Sequence, residues 1–84
     1  MNVDKGIKLP LPVFHTTYEQ FKTQVGVWAK ITATDKSKQG IVIVLNLPQN
    51  LKELVLDEIS LEQMGRDDGL LKVMSVLDKH FSSQ

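Results

Sequence analysis

The sequence predicts an all-α fold: a small single-domain bundle of four or five short helices behind an extended, proline-containing N-terminal arm. Three observations carry that expectation. Apolar residues recur at spacings of three and four in several segments of the 84-residue chain, the period of a helix that buries one face. These segments are preceded by residues whose side chains cap helices. The one run that could be a strand, Ile41-Val42-Ile43-Val44-Leu45, has only a proline-rich segment to pair with, and a lone pair of strands makes no stable sheet.

The arm comprises residues 1–15 and the helical domain residues 16–84. From Gly6 to Phe14 (GIKLPLPVF) apolar side chains alternate with Pro10 and Pro12, which remove backbone donors and fix φ, so this stretch is expected to be extended. Thr16 or Thr17 then caps a first helix over residues 17–32, with Glu19 or Gln20 completing a capping box. Tyr18, Phe21, Val25, Trp28 and Ile31 or Thr32 form its apolar face, opposite Glu19, Lys22, Gln24 and Lys30. Gly26 inside it costs about 1 kcal/mol of helix propensity, which suggests that a neighbouring element approaches closely there.

The stretch QGIVIVLNLP is expected to be a second helix over residues 38–47. Asp35 or Ser37 can cap it, Pro48 stops it, and Ile41, Val44, Leu45 and Pro48 share a face with Ile43 and Leu47 on the flank. Its β-branched residues and Gly40 oppose helix formation by a few tenths to about one kcal/mol each, which burial can override. Asn50 and Glu53 read as the next cap pair, opening a helix of residues 50–59 through Leu51, Leu54, Val55 and Ile59. Residues 60–65 can add a further turn that Gly65 ends. Asp67 and Asp68 open a last helix whose apolar positions are Leu70, Val73, Met74, Leu77 and Phe81, with Lys79 and His80 placed to suit its C-terminal dipole. The expected core is Phe21, Val25, Trp28, Ile41, Val44, Leu45, Leu54, Val55, Leu70, Met74, Leu77 and Phe81.

Composition narrows the function classes. Ten basic residues balance ten acidic ones, for a formal net charge of zero. That gives no electrostatic reason to bind nucleic acid or an anionic membrane, so RNA binding is expected to be weak. With no cysteine, thiol catalysis, disulfides and Cys-type zinc sites are excluded. No segment approaches the roughly 18 apolar residues of a membrane span, and an intracellular, cytoplasmic setting is expected.

Several residues invite sharper readings. Asp67-Asp68-Gly69 resembles part of a calcium loop, but the alternating oxygen ligands and distal Glu of such a loop are missing, so a helix cap is the better account. His15 and His80 are too few and too far apart in sequence for a metal triad. Trp28 could be a binding platform, but its helical position makes it a core side chain. Lys5, Lys8, Lys36 and Lys38 are interrupted by Asp4 and Asp35 and read as a solvated surface. No nucleophile, paired-carboxylate or glycine-rich phosphate pattern is present; the expectation is a non-enzyme with no cofactor and no metal.

The order of segments resembles a known family. A helix bearing YEQFKTQVGVW, a lysine loop and glycine leading into GIVIVLNLP, then LKELVLDEIS, then DDGLLKVMSVLDKHF, is similar to the N-terminal capsid region of Gag polyproteins from LTR retrotransposons and to their Arc-like domesticated relatives. The likeness spans about residues 13–81, with Tyr18, Trp28, Gly40, Leu47, Asp68-Gly69, Leu77-Asp78 and Phe81 as its strongest positions. It implies a helix over residues 39–47. It also implies a structural protein whose copies pack into virus-like shells by weak, repeated contacts, or an Arc-like module that holds a short peptide in a hydrophobic groove. The second capsid lobe and the Cys-rich zinc knuckle of a complete Gag have no counterpart here, and Gly26 and Asn46 interrupt apolar faces. A monomer or weak oligomer is therefore expected, with protein partners: its own copies or an extended hydrophobic peptide.

The arm bears on both possibilities. Ile7, Leu9, Leu11, Val13 and Phe14 are too many apolar side chains to leave in water. We expect Leu11, Val13 and Phe14 to insert between the first and last helices, against Tyr18, Phe21 and Phe81, in the same subunit or a neighbouring one. These six residues are the candidate partner-binding site.

Overall fold

The computed structural model describes Pro12, Phe14 and residues 17–82. They form five helices: α1 (Tyr18–Ile31), α2 (Lys36–Leu45), α3 (Gln49–Glu58), α4 (Leu61–Met64) and α5 (Gly69–Ser82). Among the described residues there is no strand, and the run 41–45 is helical. The fold is all-α, as the periodicity predicts.

Thr17 starts α1: its hydroxyl accepts from the Gln20 N–H (3.2 Å) and its carbonyl from the Phe21 N–H (3.1 Å). The helix stops where Thr32 turns extended, its N–H donating to the Trp28 carbonyl at 2.8 Å. Phe21, Val25 and Trp28 are buried, as the spacing requires. Gly26 departs from expectation. It is exposed, and a Cβ built there would meet nothing within 4 Å, so no element approaches it.

The close approach occurs instead at Gly40. A Cβ there would lie 2.8 Å from the Gly69 carbonyl carbon and 2.9 Å from the Leu70 nitrogen, so α2 and the start of α5 meet backbone to backbone. Gly69 is itself confined, because its Cβ would strike the Met64 carbonyl. This contact sets the rotation of α2. Its inward positions are Gly40, Ile43 and Val44, continued by Leu47 just past the helix, a second three-and-four series one residue before Ile41, Val44, Leu45 and Pro48. Leu45, expected in the core, is 64% exposed. Both series fit a helix, and a shift of one position turns the face by about 100°; the glycine contact decides between them.

The ends of α2 and α3 also differ from expectation. Asp35 is the N-cap of α2, but its side chain makes no cap hydrogen bond. Instead the buried Gln39 donates from Nε2 to the Thr34 carbonyl (3.0 Å), tying the first turn to the preceding loop. Asn46 does not disrupt the apolar face; its Nδ2 donates to the Val42 carbonyl (2.9 Å) and satisfies the C-terminal end. Pro48, rather than Asn50, is the N-cap of α3, with its carbonyl accepting from Leu51 N–H (3.0 Å) and Lys52 N–H (2.9 Å). A proline loses nothing there, since an N-terminal helix position has no use for its missing donor.

The short α4 is fixed by a capping box: Ser60 Oγ accepts from the Gln63 N–H and Gln63 Oε1 from the Ser60 N–H, both at 3.2 Å. Asp68 contributes its carbonyl to the Lys72 N–H (3.1 Å), while its carboxylate pairs with Lys72 Nζ one turn on (3.9 Å). Helix α5 is the centre of the molecule and packs on α2, α3 and α4. The buried core joins Phe21, Val25 and Trp28 of α1 to Ile43, Val44, Leu47, Leu51, Val55, Ile59, Met64, Val73 and Leu77. Of the expected core, Ile41, Leu54, Leu70, Met74 and Phe81 are partly buried against that cluster.

Candidate protein-binding site

The N-terminal ends of α1 and the C-terminal end of α5 bring together all three phenylalanines and the only tyrosine. Tyr18 and Phe81 stack nearly parallel, with ring centres 4.6 Å apart and planes at 9°. Phe14, ahead of the helix, lies against this pair: its ring centre is 5.1 Å from Phe21, 5.4 Å from Phe81 and 6.3 Å from Tyr18. Such ring pairs add about 0.5–1.5 kcal/mol each beyond the area they bury. The His80 and Phe81 rings stand nearly perpendicular, at 84°, with centres 4.9 Å apart. Pro12 is also buried. Leu11 and Val13 lie outside the described residues, as does His15, so the site consists of Phe14 on Tyr18, Phe21 and Phe81.

The seat for Phe14 is built by the first turn of α1. Thr17 caps the helix in an extended conformation (φ −99°, ψ 156°). Tyr18 and Phe21 stand in the first turn, three residues apart and therefore on one side.

A polar rim borders the rings. The Tyr18 hydroxyl donates to Asp78 Oδ1 at 2.5 Å, and Lys22 Nζ stands 3.1 Å from the same oxygen. Tyr18 and Lys22 are one turn apart on α1, so Asp78 of α5 receives both and links the two helices across 60 positions of sequence. Burial, then the hydrogen bond to Asp78, pushes the Tyr18 hydroxyl well above the usual tyrosine range. The Tyr18 hydrogen bond, helped by Lys22 and opposed by burial, holds Asp78 below the usual carboxylate range. Lys22 and Asp78 are each nearly half exposed, so the ion pair itself is screened and contributes little. Asp78 and Lys22 are the site residues that sequence reasoning missed; each reads alone as a solvated charge.

Chemically the arrangement can bury an aromatic ring and orient it with a polar edge. Among the described residues no group of three or more His, Cys, Asp or Glu is placed to hold a metal ion. No helix among them is long and apolar enough to cross a membrane. No family model matches the chain, and neither a curated protein nor a solved structure matches it significantly.

Proposed function

We propose that this chain is a non-catalytic structural and assembly domain of the kind found in Gag capsid N-terminal lobes, acting through weak protein–protein contacts inside the cell. The observation that supports this reading most is the placement of the resembling segments. YEQFKTQVGVW begins α1, most of GIVIVLNLP forms α2, LKELVLDE lies within α3, and GLLKVMSVLDKHF forms nearly all of α5. A chain of balanced charge suits repeated contacts between copies, because identical molecules do not repel one another at long range. Sedimentation velocity over a range of protein concentrations tests it; a chain that stays strictly monomeric near millimolar concentration argues against assembly.

A second reading is favoured by one specific observation, the seating of Phe14 on Tyr18, Phe21 and Phe81. On this reading the domain is an Arc-like module that holds an extended hydrophobic peptide, and its own arm occupies the seat in the absence of one. Titrating such a peptide into the full chain and into a chain lacking residues 1–15 separates the two. Binding that appears or strengthens on truncation supports the module; no binding in either leaves only the assembly role.

A further inference from the structure

Charge on the helical surface is divided along the chain. The corner where α1 ends and α2 begins carries exposed Lys30, Lys36 and Lys38 against Asp35 alone. Helices α3 and α4 carry exposed Glu53, Asp57, Glu58 and Glu62 against Lys52 alone. Each half also carries large apolar side chains that stay in solvent. On α1, Val27 (55% exposed) lies three positions from Lys30 and four from Ile31 (51% exposed), so it neighbours both on the helix surface. On α3, Glu53 lies three positions from Leu56 (44% exposed) and four from Asp57, so it neighbours both on the helix surface, and Leu61 (67% exposed) adjoins Glu62 in sequence.

Among the described residues, Glu58 is the one member of these two halves that forms an ion pair, with Lys79. The ion pairs among the described residues are Lys22–Asp78, Lys72–Asp68 and Lys79–Glu58. Lys30, Lys36 and Lys38 belong to none of them, and neither do Asp57 and Glu62. Among the described residues Glu53 accepts from Gln49, one turn before it. A basic surface with two apolar side chains and an acidic surface with two apolar side chains are thus carried by one chain, each matching the other in both respects.

We propose that these surfaces bind each other between copies: the α1–α2 corner of one molecule docks on the α3–α4 face of the next. The inference rests on the assembly reading above and names its contact. Such a contact is head-to-tail, using two different patches, so it propagates to rings or filaments rather than closing as a symmetric dimer. The few side chains involved place it among weak interfaces. Charge gives it partner choice and orientation, and exposed ion pairs make it sensitive to salt.

The test uses the full chain and two double variants at exposed positions, Lys30→Glu with Lys38→Glu and Glu53→Lys with Asp57→Lys. Sedimentation velocity is run up to about 1 mM protein in roughly 20 mM and roughly 500 mM salt, conditions that differ several-fold in screening length. The expected result is a mean mass that rises with concentration at low salt and returns to monomer at high salt. Each double variant alone stays monomeric, and an equimolar mixture of the two associates again, because each reversed patch meets its reversed complement. In the wild-type chain, amide shifts that depend on concentration gather at residues 27–38 and 53–62. Association that persists in both variants, a mixture that fails to associate, or shifts confined to another surface overturns the proposed contact and leaves assembly standing. A wild-type chain that is monomeric throughout overturns the contact and the assembly reading together.

Discussion

Two glycine-to-alanine substitutions, chemically identical and both in helices, are expected to act in opposite directions. At Gly26 an added methyl meets nothing within 4 Å, so only backbone propensity changes. Alanine is favoured over glycine in a helix by about 0.8–1 kcal/mol, and Gly26→Ala is expected to stabilise by up to about that amount, raising Tm by roughly 4–8 °C in a domain this small. At Gly40 the same propensity gain is set against a collision. The methyl carbon would lie 2.8–3.0 Å from atoms of Gly69 and Leu70, whereas unstrained carbon contacts are near 3.5–4.0 Å. Relief requires moving two helical backbones apart by roughly 0.5–1 Å, and no flexible side chain can absorb the shift. Overpacking of this kind costs about 1–3 kcal/mol, with the upper part of that range expected where backbone is struck. The net effect of Gly40→Ala is a loss of about 1–2 kcal/mol, a large share of a total that, at about 0.05–0.15 kcal/mol per residue, is roughly 4–13 kcal/mol. Thermal and urea unfolding followed by Trp28 fluorescence and far-ultraviolet circular dichroism measure both variants. A Gly40→Ala protein as stable as wild type refutes the packing of α2 on α5 described above, and a Gly26→Ala protein that melts lower refutes the open surroundings of Gly26 on α1.

Phe14→Ala removes one ring from the aromatic cluster; since the ring is only partly buried, the loss is expected at about 1–3 kcal/mol, below the 3–5 typical of a fully buried phenylalanine. An unchanged Tm, with high mobility of residue 14 in NMR relaxation, would show that Phe14 is not seated. Leu77→Ala, at a fully buried position on the central helix, is expected to cost about 2–5 kcal/mol, measured by urea titration; a fully stable variant contradicts the core. The Tyr18–Asp78 bond predicts stability limits on both sides of neutrality. The raised Tyr18 value makes its contribution complete below the unfolded tyrosine value, about 10, and lost as pH climbs above it toward the folded value. The lowered Asp78 value makes its contribution present above the unfolded aspartate value, about 3.9, and lost as pH falls through the folded one. The Tm difference between wild type and Tyr18→Phe is therefore expected to be constant near neutrality and to shrink at both extremes. A difference that stays constant above pH 10 excludes the hydrogen bond.

Helix number and order were legible because they depend on local signals: a threonine cap at Thr16 or Thr17, the further turn before Gly65, and the three-and-four spacing that buries Phe21, Val25 and Trp28; the capping box of Ser60 and Gln63 became visible only in the structure. The rotation of α2 was not legible. Residues 40–47 are apolar on nearly every side, so two faces fit equally, and the choice falls to a contact with Gly69, nearly thirty residues further on. The same reason hid the roles of the glycines: each costs the same propensity, and only the neighbours distinguish Gly26 from Gly40. At the site, the aromatic members could be named because apolar residues in the arm and at helix ends need a partner. Asp78 could not, because an aspartate between Leu77 and Lys79 looks like any solvated helix residue until α1 brings Tyr18 and Lys22 beside it.

The separation of the chromophores gives the molecule two optical reporters. Trp28, the only tryptophan, is 5% exposed in the core, so its emission follows the collapse of the whole bundle. Tyr18, the only tyrosine, has its hydroxyl on a carboxylate and its ring stacked on Phe81, so its absorption edge follows the junction of α1, α5 and the arm. Ultraviolet difference absorption and tryptophan fluorescence can thus be recorded in one denaturation experiment, on the unlabelled chain. If the arm and the first turn of α1 loosen before the core, the tyrosine signal changes at lower denaturant than the tryptophan signal, and the order in which the parts come apart becomes visible by eye in two superimposed curves.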